Sequence, residues 1–112
     1  MRRRRTCFLS YGSTEYSRNS EASVLQHYAV AIRDALNRAG MHKKEIQGLS
    51  ITTQASPDFA PHVAEQLGFE LDWVLNGDYG GAGGVGSVRR AADAIECGHI
   101  EVALLVGGNA FD

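Results

Sequence analysis

Asn76-Gly77-Asp78-Tyr79-Gly80-Gly81-Ala82-Gly83-Gly84-Val85-Gly86-Ser87 holds six of the thirteen glycines of this chain. The β-prone run Trp73-Val74-Leu75 leads into it, and Val88 to Glu96 leads out with helical spacing. The stretch therefore reads as a strand, a glycine-rich turn and a helix N-terminus. Glycine tolerates positive φ and lets a ligand approach the backbone. The free N–H groups and dipole at a helix start favour an anion, a phosphate or a developing oxyanion. Gly80, Gly81, Ala82, Gly83 and Gly84 are thus the candidate ligand cradle. Asp78 and Tyr79 are the acid–base groups beside the turn and the catalytic candidates. Turn formation for Asp78 and packing for Tyr79 are the plainer readings.

Working outward, Thr6 to Tyr11 is a short run of strand formers that ends at Gly12 and Ser13, and it reads as a first strand. Ser20 fits an N-cap with Glu21 in the first turn. Val24, Leu25, Tyr28, Ala31, Ile32, Ala35 and Leu36 then recur at helical spacing, and Gly40 ends the helix. Met41 to Gln47 is a polar connector, and Leu49 to Thr53 a second strand. Pro57 and Asp58 fit the start of a helix with Phe59, Val63, Ala64 and Leu67 on its apolar face, closed by Gly68. Trp73 to Leu75 is a third strand, and a third helix spans about Ala82 to Cys97 before Gly98. Val102 to Val106 is near-continuously apolar, the pattern of a strand buried on both faces. The order β-α-β-α-β-α-β predicts an α/β fold, a mainly parallel sheet with helices on its faces.

At 112 residues the chain holds at most one ordinary domain with a modest core. Arg2 to Arg5 carry four of the eleven basic residues, and the remainder has seven basic against thirteen acidic. Residues 1–5 are expected to be a solvated, disordered terminus, with residues 6–112 as the domain. A net charge of −2 makes no general case for nucleic acid. No apolar run is long enough for a membrane span or a signal-peptide core. Two cysteines in no metal spacing point to reduced thiols, and the expected compartment is the cytoplasm.

Gly81-Ala82-Gly83-Gly84-Val85-Gly86 matches G-x-G-x-x-G between a strand and a helix. The dinucleotide fingerprint, however, normally opens the first βα unit and has an acid ending the next strand. Here it opens the third unit, and the next strand ends Val106-Gly107-Gly108-Asn109. The stretch is not a P-loop, because no Gly-Lys-Ser/Thr follows. His27, His42, His62 and His99 have no partner at ligand spacing, so surface or capping roles are expected and no metal site. Ser87 lies inside the third helix rather than on a nucleophile elbow. Cys97 sits at a helix C-terminus, where the dipole disfavours a thiolate, and Cys7 is expected to be buried in the first strand. Arg89 and Arg90 read as a solvated helix face.

Phe8 to Arg18, Ala31 to Gly48, Val63 to Gly68, Ala91 to Gly98 and Val102 to Gly108 together resemble the N-terminal half of a thiolase-fold protein of the sterol-carrier or lipid-transfer branch, an acetyl-CoA acetyltransferase-like family. The resemblance implies acyl-coenzyme A thioester chemistry in lipid or sterol metabolism, with no tightly bound cofactor. In that family a cysteine at the start of the central helix takes the acyl group. The matching position here is Gly81, which cannot be acylated. Members without the cysteine act as aldolases or have uncertain function, and this chain is similar to those.

The family also has a second half supplying a catalytic histidine, which is not in this sequence. The expectation is a truncated product, an inert remnant or a half-domain needing a partner chain, and not a competent thiolase alone. Homodimerisation through the third strand is also implied. The alternatives are a non-catalytic dimerising interaction module and a dinucleotide-binding domain.

Overall fold

The computed structural model describes residues 5–13, 24–52, 59–77 and 83–107. Three helices, α1 (Val24–Ala39), α2 (Phe59–Leu67) and α3 (Gly83–Glu96), alternate with three strands, β1 (Gly48–Thr52), β2 (Trp73–Gly77) and β3 (Ala103–Gly107). The strands form one parallel sheet in the order β2-β1-β3. The α/β class and parallel sheet read from the sequence are those observed.

Strand β1 is buried along nearly its whole length because both its edges are paired and both its faces covered. Leu49 and Ile51 point to one face, where they meet Tyr28 and Ile32 of α1 and Ala60, Val63 and Ala64 of α2. Leu25, Tyr28, Ile32 and Leu36 recur at helical spacing, so α1 delivers one apolar stripe to that core. Ser50 and Thr52 point to the other face, where α3 lies and Ser87 meets them. The molecule is therefore a three-layer sandwich, with α1 and α2 on one side and α3 on the other.

Gly40, Gly68 and Gly98 end the three helices, with φ of 65°, 75° and 80°. At each, two backbone bonds close a Schellman motif. After α1, for example, Met41 N–H donates to Leu36 O at 3.0 Å and Gly40 N–H to Asn37 O at 3.2 Å. The polar connector contains a short 3-10 turn, Lys43–Glu45, capped reciprocally by His42 and Glu45. That gives one of the four histidines the capping role expected of it.

Two expectations are corrected. Thr6 to Tyr11 does not form a strand; it runs largely exposed beside α1. Ser10 Oγ donates to Ala35 O at 2.9 Å, and Ser13 N–H donates to Asp34 Oδ2 at 3.3 Å. Gly12 lies so close that a β-carbon there would collide with Ala31 O and Ala35 N. Strand formers yield a strand only where a free ladder edge meets them. This segment pairs with none of the described strands and is fastened to α1 instead. Cys7 is consequently exposed rather than buried. The second correction concerns the run Val102 to Val106, read as buried on both faces. Within β3 only Val106 is buried, because β3 is an outer strand of the described sheet. The N-cap expected at Ser20 and the helix start expected at Pro57 and Asp58 lie outside the described residues.

A β-carbon at Gly48 would stand 2.7 Å from Ile100 Cδ1 and 2.8 Å from Trp73 Cε3. Gly48→Ala should therefore overpack the start of the central strand and lower stability by about 1–3 kcal/mol. Urea unfolding followed by circular dichroism measures this; an unchanged midpoint would show that the two side chains yield freely.

Candidate functional site

Because the strands are parallel, their C-terminal ends share one edge of the sheet. The last rung is Gly77–Thr52–Gly107. The N-termini of α2 and α3 follow β1 and β2 at that same edge. Open parallel sheets bind ligands outside the carboxyl ends of their strands, where short turns and helix dipoles converge.

Two devices fix this edge. Asn76 Oδ1, on β2, accepts the Ala60 N–H in the first turn of α2 at 2.7 Å. One strand residue thus caps the helix that joins β1 to β2, and locks the start of α2 over the sheet. On the opposite face Ser50 Oγ donates to Ser87 Oγ at 3.1 Å, and Thr52 Oγ1 shares a 3.0 Å bond with the same atom. Ser50 and Ser87 are the buried polar side chains among the described residues, and the hydroxyls satisfy one another. These hydroxyl contacts set how the first turns of α3 sit above β1.

Of the residues expected to bind or react, Asp78, Tyr79, Gly80, Gly81 and Ala82 lie outside the described residues. Gly83 and Gly84 are the first residues of α3, so the helix starts where the sequence reading put it. Ser87 is inside the helix, as read, and acts as a polar staple. Asn76, Ser50 and Thr52 were not singled out as site residues from sequence. The alternation Leu49-Ser50-Ile51-Thr52 was the available signal, since it gives a central strand one hydroxyl-bearing face. The partner Ser87, 37 residues from Ser50, is visible only in the fold.

Other candidates fall away from this edge. Cys7 and Cys97 are free and exposed. Arg89 is exposed and pairs with Asp93 at 3.5 Å on the outer face of α3. Among the described residues no group of three or more His, Cys, Asp or Glu could hold a metal, and no helix is long and apolar enough to cross a membrane. Arg38, remote in sequence from these residues, has its pKa raised by its hydrogen bond to Asp34 and, secondarily, by Tyr11.

No family model matches the chain. The sheet and its helices have a thiolase-like fold, shown by a monomeric SCP2-thiolase-like protein type 1 from Mycobacterium smegmatis. That structure is 18% identical, has a TM-score of 0.76, and the match covers 93% of this chain and 23% of that one. The Ltp2-ChsH2(DUF35) aldolase superposes with a TM-score of 0.76 at 35% identity, over 87% of this chain and 25% of that one.

Among curated proteins, the chain is 36% identical over 94 residues to a steroid side-chain-cleaving aldolase of Thermomonospora curvata. It is 33% identical over 94 residues to a 17-hydroxy-3-oxo-4-pregnene-20-carboxyl-CoA lyase of Mycobacterium tuberculosis. Each match covers 83% of this chain and 24% of the relative, so the chain spans about a quarter of their length. These relatives are named aldolase and lyase, in place of the acyltransferase that the family resemblance put first.

Ser87→Ala removes the shared acceptor and leaves the Ser50 hydroxyl buried without it. Stability should fall by about 1–3 kcal/mol. The Ser50→Ala/Ser87→Ala double variant should cost less than the sum of the singles, and a double-mutant cycle by urea unfolding measures the coupling. Additive losses would mean that the hydroxyls do not act as one unit.

Proposed function

We propose that this chain is part of a thiolase-fold carbon–carbon lyase acting on a coenzyme A thioester of a steroid-like or other lipid acid. The observation that carries the reading is 36% identity to a side-chain-cleaving aldolase across 83% of the chain. The chemistry agrees with the sequence. A thiolase needs a nucleophile to hold the acyl group. A retro-aldol cleavage needs none. A base takes the proton of a hydroxyl placed β to the thioester carbonyl. The carbon–carbon bond breaks to leave a ketone, and its electron pair passes into the thioester enolate, which is then protonated at carbon. The demand falls on donors that stabilise the enolate oxygen. Glycine at position 81 is compatible with that demand, because it keeps the backbone open to the oxygen where a thiolase has its cysteine.

In this reading the N-terminus of α3, with Gly80 to Gly84, supplies the oxyanion donors. Asp78 and Tyr79 are the groups of this chain beside the turn that can move a proton. Asn76 and the Ser50–Ser87–Thr52 hydroxyls are positioning residues, which hold α2 and α3 at the edge where the thioester lies. The remainder of the active site comes from sequence beyond these residues, in the same polypeptide or in a partner subunit. The outer edge of β2 is where a second copy pairs.

Calorimetric titration with propanoyl-CoA, with NADH as comparison, tests this. Saturable binding of the CoA thioester alone is expected. Gly83→Val should weaken it about tenfold or more, equivalent to about 1.4 kcal/mol. Binding of NADH alone would replace the reading with the dinucleotide fingerprint. Binding of neither by a folded chain would favour an interaction module without a small-molecule site.

A further inference from the structure

Arg2 to Arg5 carry four of the eleven basic residues, and neither the fold nor the proposed reaction uses them. The segment that follows, residues 6–13, runs along α1 without joining the sheet. On it Phe8, Leu9 and Tyr11 are 81%, 63% and 72% exposed. The other large apolar side chains left open among the described residues, Val30, Val74 and Val85, are scattered over three elements. These three fall within four residues of one another, directly after a run of positive charge.

The geometry points to a membrane-docking arm: Arg2 to Arg5 attract an anionic lipid surface, and Phe8, Leu9 and Tyr11 enter the boundary between its headgroups and acyl chains. The inference goes beyond the proposed reaction and does not depend on it.

The apolar row is held outward by its own attachments. Ser10 Oγ donates to Ala35 O at 2.9 Å, and Ser13 N–H donates to Asp34 Oδ2 at 3.3 Å. Gly12 is packed against the backbone of Ala31 and Ala35. With Ser10 and Gly12 on the helix, Leu9 and Tyr11 beside them face solvent. The Tyr11 ring lies 4.7 Å from the Arg38 guanidinium, and Arg38 pairs with Asp34 at 3.1 Å. The carboxylate that holds Ser13 is thus compensated and does not oppose an anionic surface. Folding leaves the row in water, where apolar area is costly, and presents it on a fixed support.

Charge and row act on one surface. Arg5 is exposed and stands three residues before Phe8, which is at most about 11 Å of chain. The screening length at 0.1 M salt is about 10 Å. A basic cluster beside exposed apolar side chains supplies the two signals that peripheral attachment takes. Nucleic acid is the other polyanion that four arginines could meet, and two observations favour lipid over it. The rest of the chain has seven basic against thirteen acidic residues, so no basic track continues along it for a phosphate backbone. A planar anionic surface needs one basic face only and turns the acidic remainder away. Leu9, moreover, has no ring for a base to stack on, whereas acyl chains accept it.

The test is co-sedimentation of the full 112-residue chain with vesicles of phosphatidylcholine, alone or mixed equally with phosphatidylglycerol, at about 0.1 M sodium chloride. Binding to the anionic vesicles should exceed binding to the neutral ones by about tenfold or more. Arg2→Ser, Arg3→Ser, Arg4→Ser and Arg5→Ser in one variant should remove that preference. Phe8→Ser/Leu9→Ser should weaken anionic binding by about tenfold. Its circular dichroism spectrum should stay unchanged, because both side chains are exposed. In Phe8→Trp the added indole should shift its emission to the blue on anionic vesicles and be quenched by brominated acyl chains.

No binding to anionic vesicles by a folded chain would overturn the inference. Equal binding to both vesicles would do so too, as would a preference that survives loss of the arginines. Unchanged binding by Phe8→Ser/Leu9→Ser, or an indole that does not shift, would remove the apolar row and with it the arm. Release from the vesicles by polyuridylate at equal phosphate concentration would overturn it in favour of single-stranded nucleic acid.

Discussion

Everything in this molecule is referred to the burial of β1 from all four directions. Leu49 and Ile51 are 0% and 1% exposed, and Ser50 on the opposite face is 0% exposed. A strand with both edges paired and both faces covered leaves no backbone group to water, so its register is strongly specified. That register sets the last rung, Gly77–Thr52–Gly107, and brings the N-termini of α2 and α3 to the same edge. Apolar burial on one face of β1 supplies cohesion. The hydroxyl contacts on the other supply position, because three side chains that satisfy only one another tolerate little displacement.

The same constraint explains the two outer strands. With β1 saturated, any further strand must be added at β2 or β3. The sequence Val102 to Val106 has the composition of a strand enclosed on both faces, yet in this chain it is an outer strand and only Val106 of β3 is buried. That mismatch between composition and environment is a statement about what lies alongside. Among the described residues no strand lies along the outer edge of β3, which leaves Ala103 to Leu105 partly open.

The proposed site follows the logic of open parallel sheets, with a substitution of chemistry. A thiolase places a cysteine where helix dipole and backbone donors meet. In the proposed function Gly81 stands at that position, and the same electrostatics stabilise a negative oxygen without a covalent intermediate. An aldolase requires the oxyanion donors and dispenses with the acyl carrier. Under that proposal the change from one reaction to the other needs little alteration of the scaffold and a large alteration at one position.

The helices, their ends and the sheet class were legible in the sequence, because they rest on local causes. Apolar spacing in Leu25 to Leu36 fixes which face of α1 is buried. Gly40, Gly68 and Gly98 stop helices because the terminal residue adopts positive φ. The strand–turn–helix reading around Gly77 to Ser87 holds for β2 and the start of α3, while the turn residues 78–82 lie outside the described structure. Pairing and partnership were decided only by the tertiary structure. Thr6 to Tyr11 has the composition of a strand, but an edge strand is defined by its neighbour, and this segment is docked on α1 instead. Ser50, Thr52 and Ser87 are unremarkable one by one, and become a unit because the crossover through β2 returns α3 over β1. Local propensity depends on a residue and its near neighbours in sequence; strand pairing and buried hydroxyl contacts depend on residues far away in sequence, and only the assembled sheet brings them together.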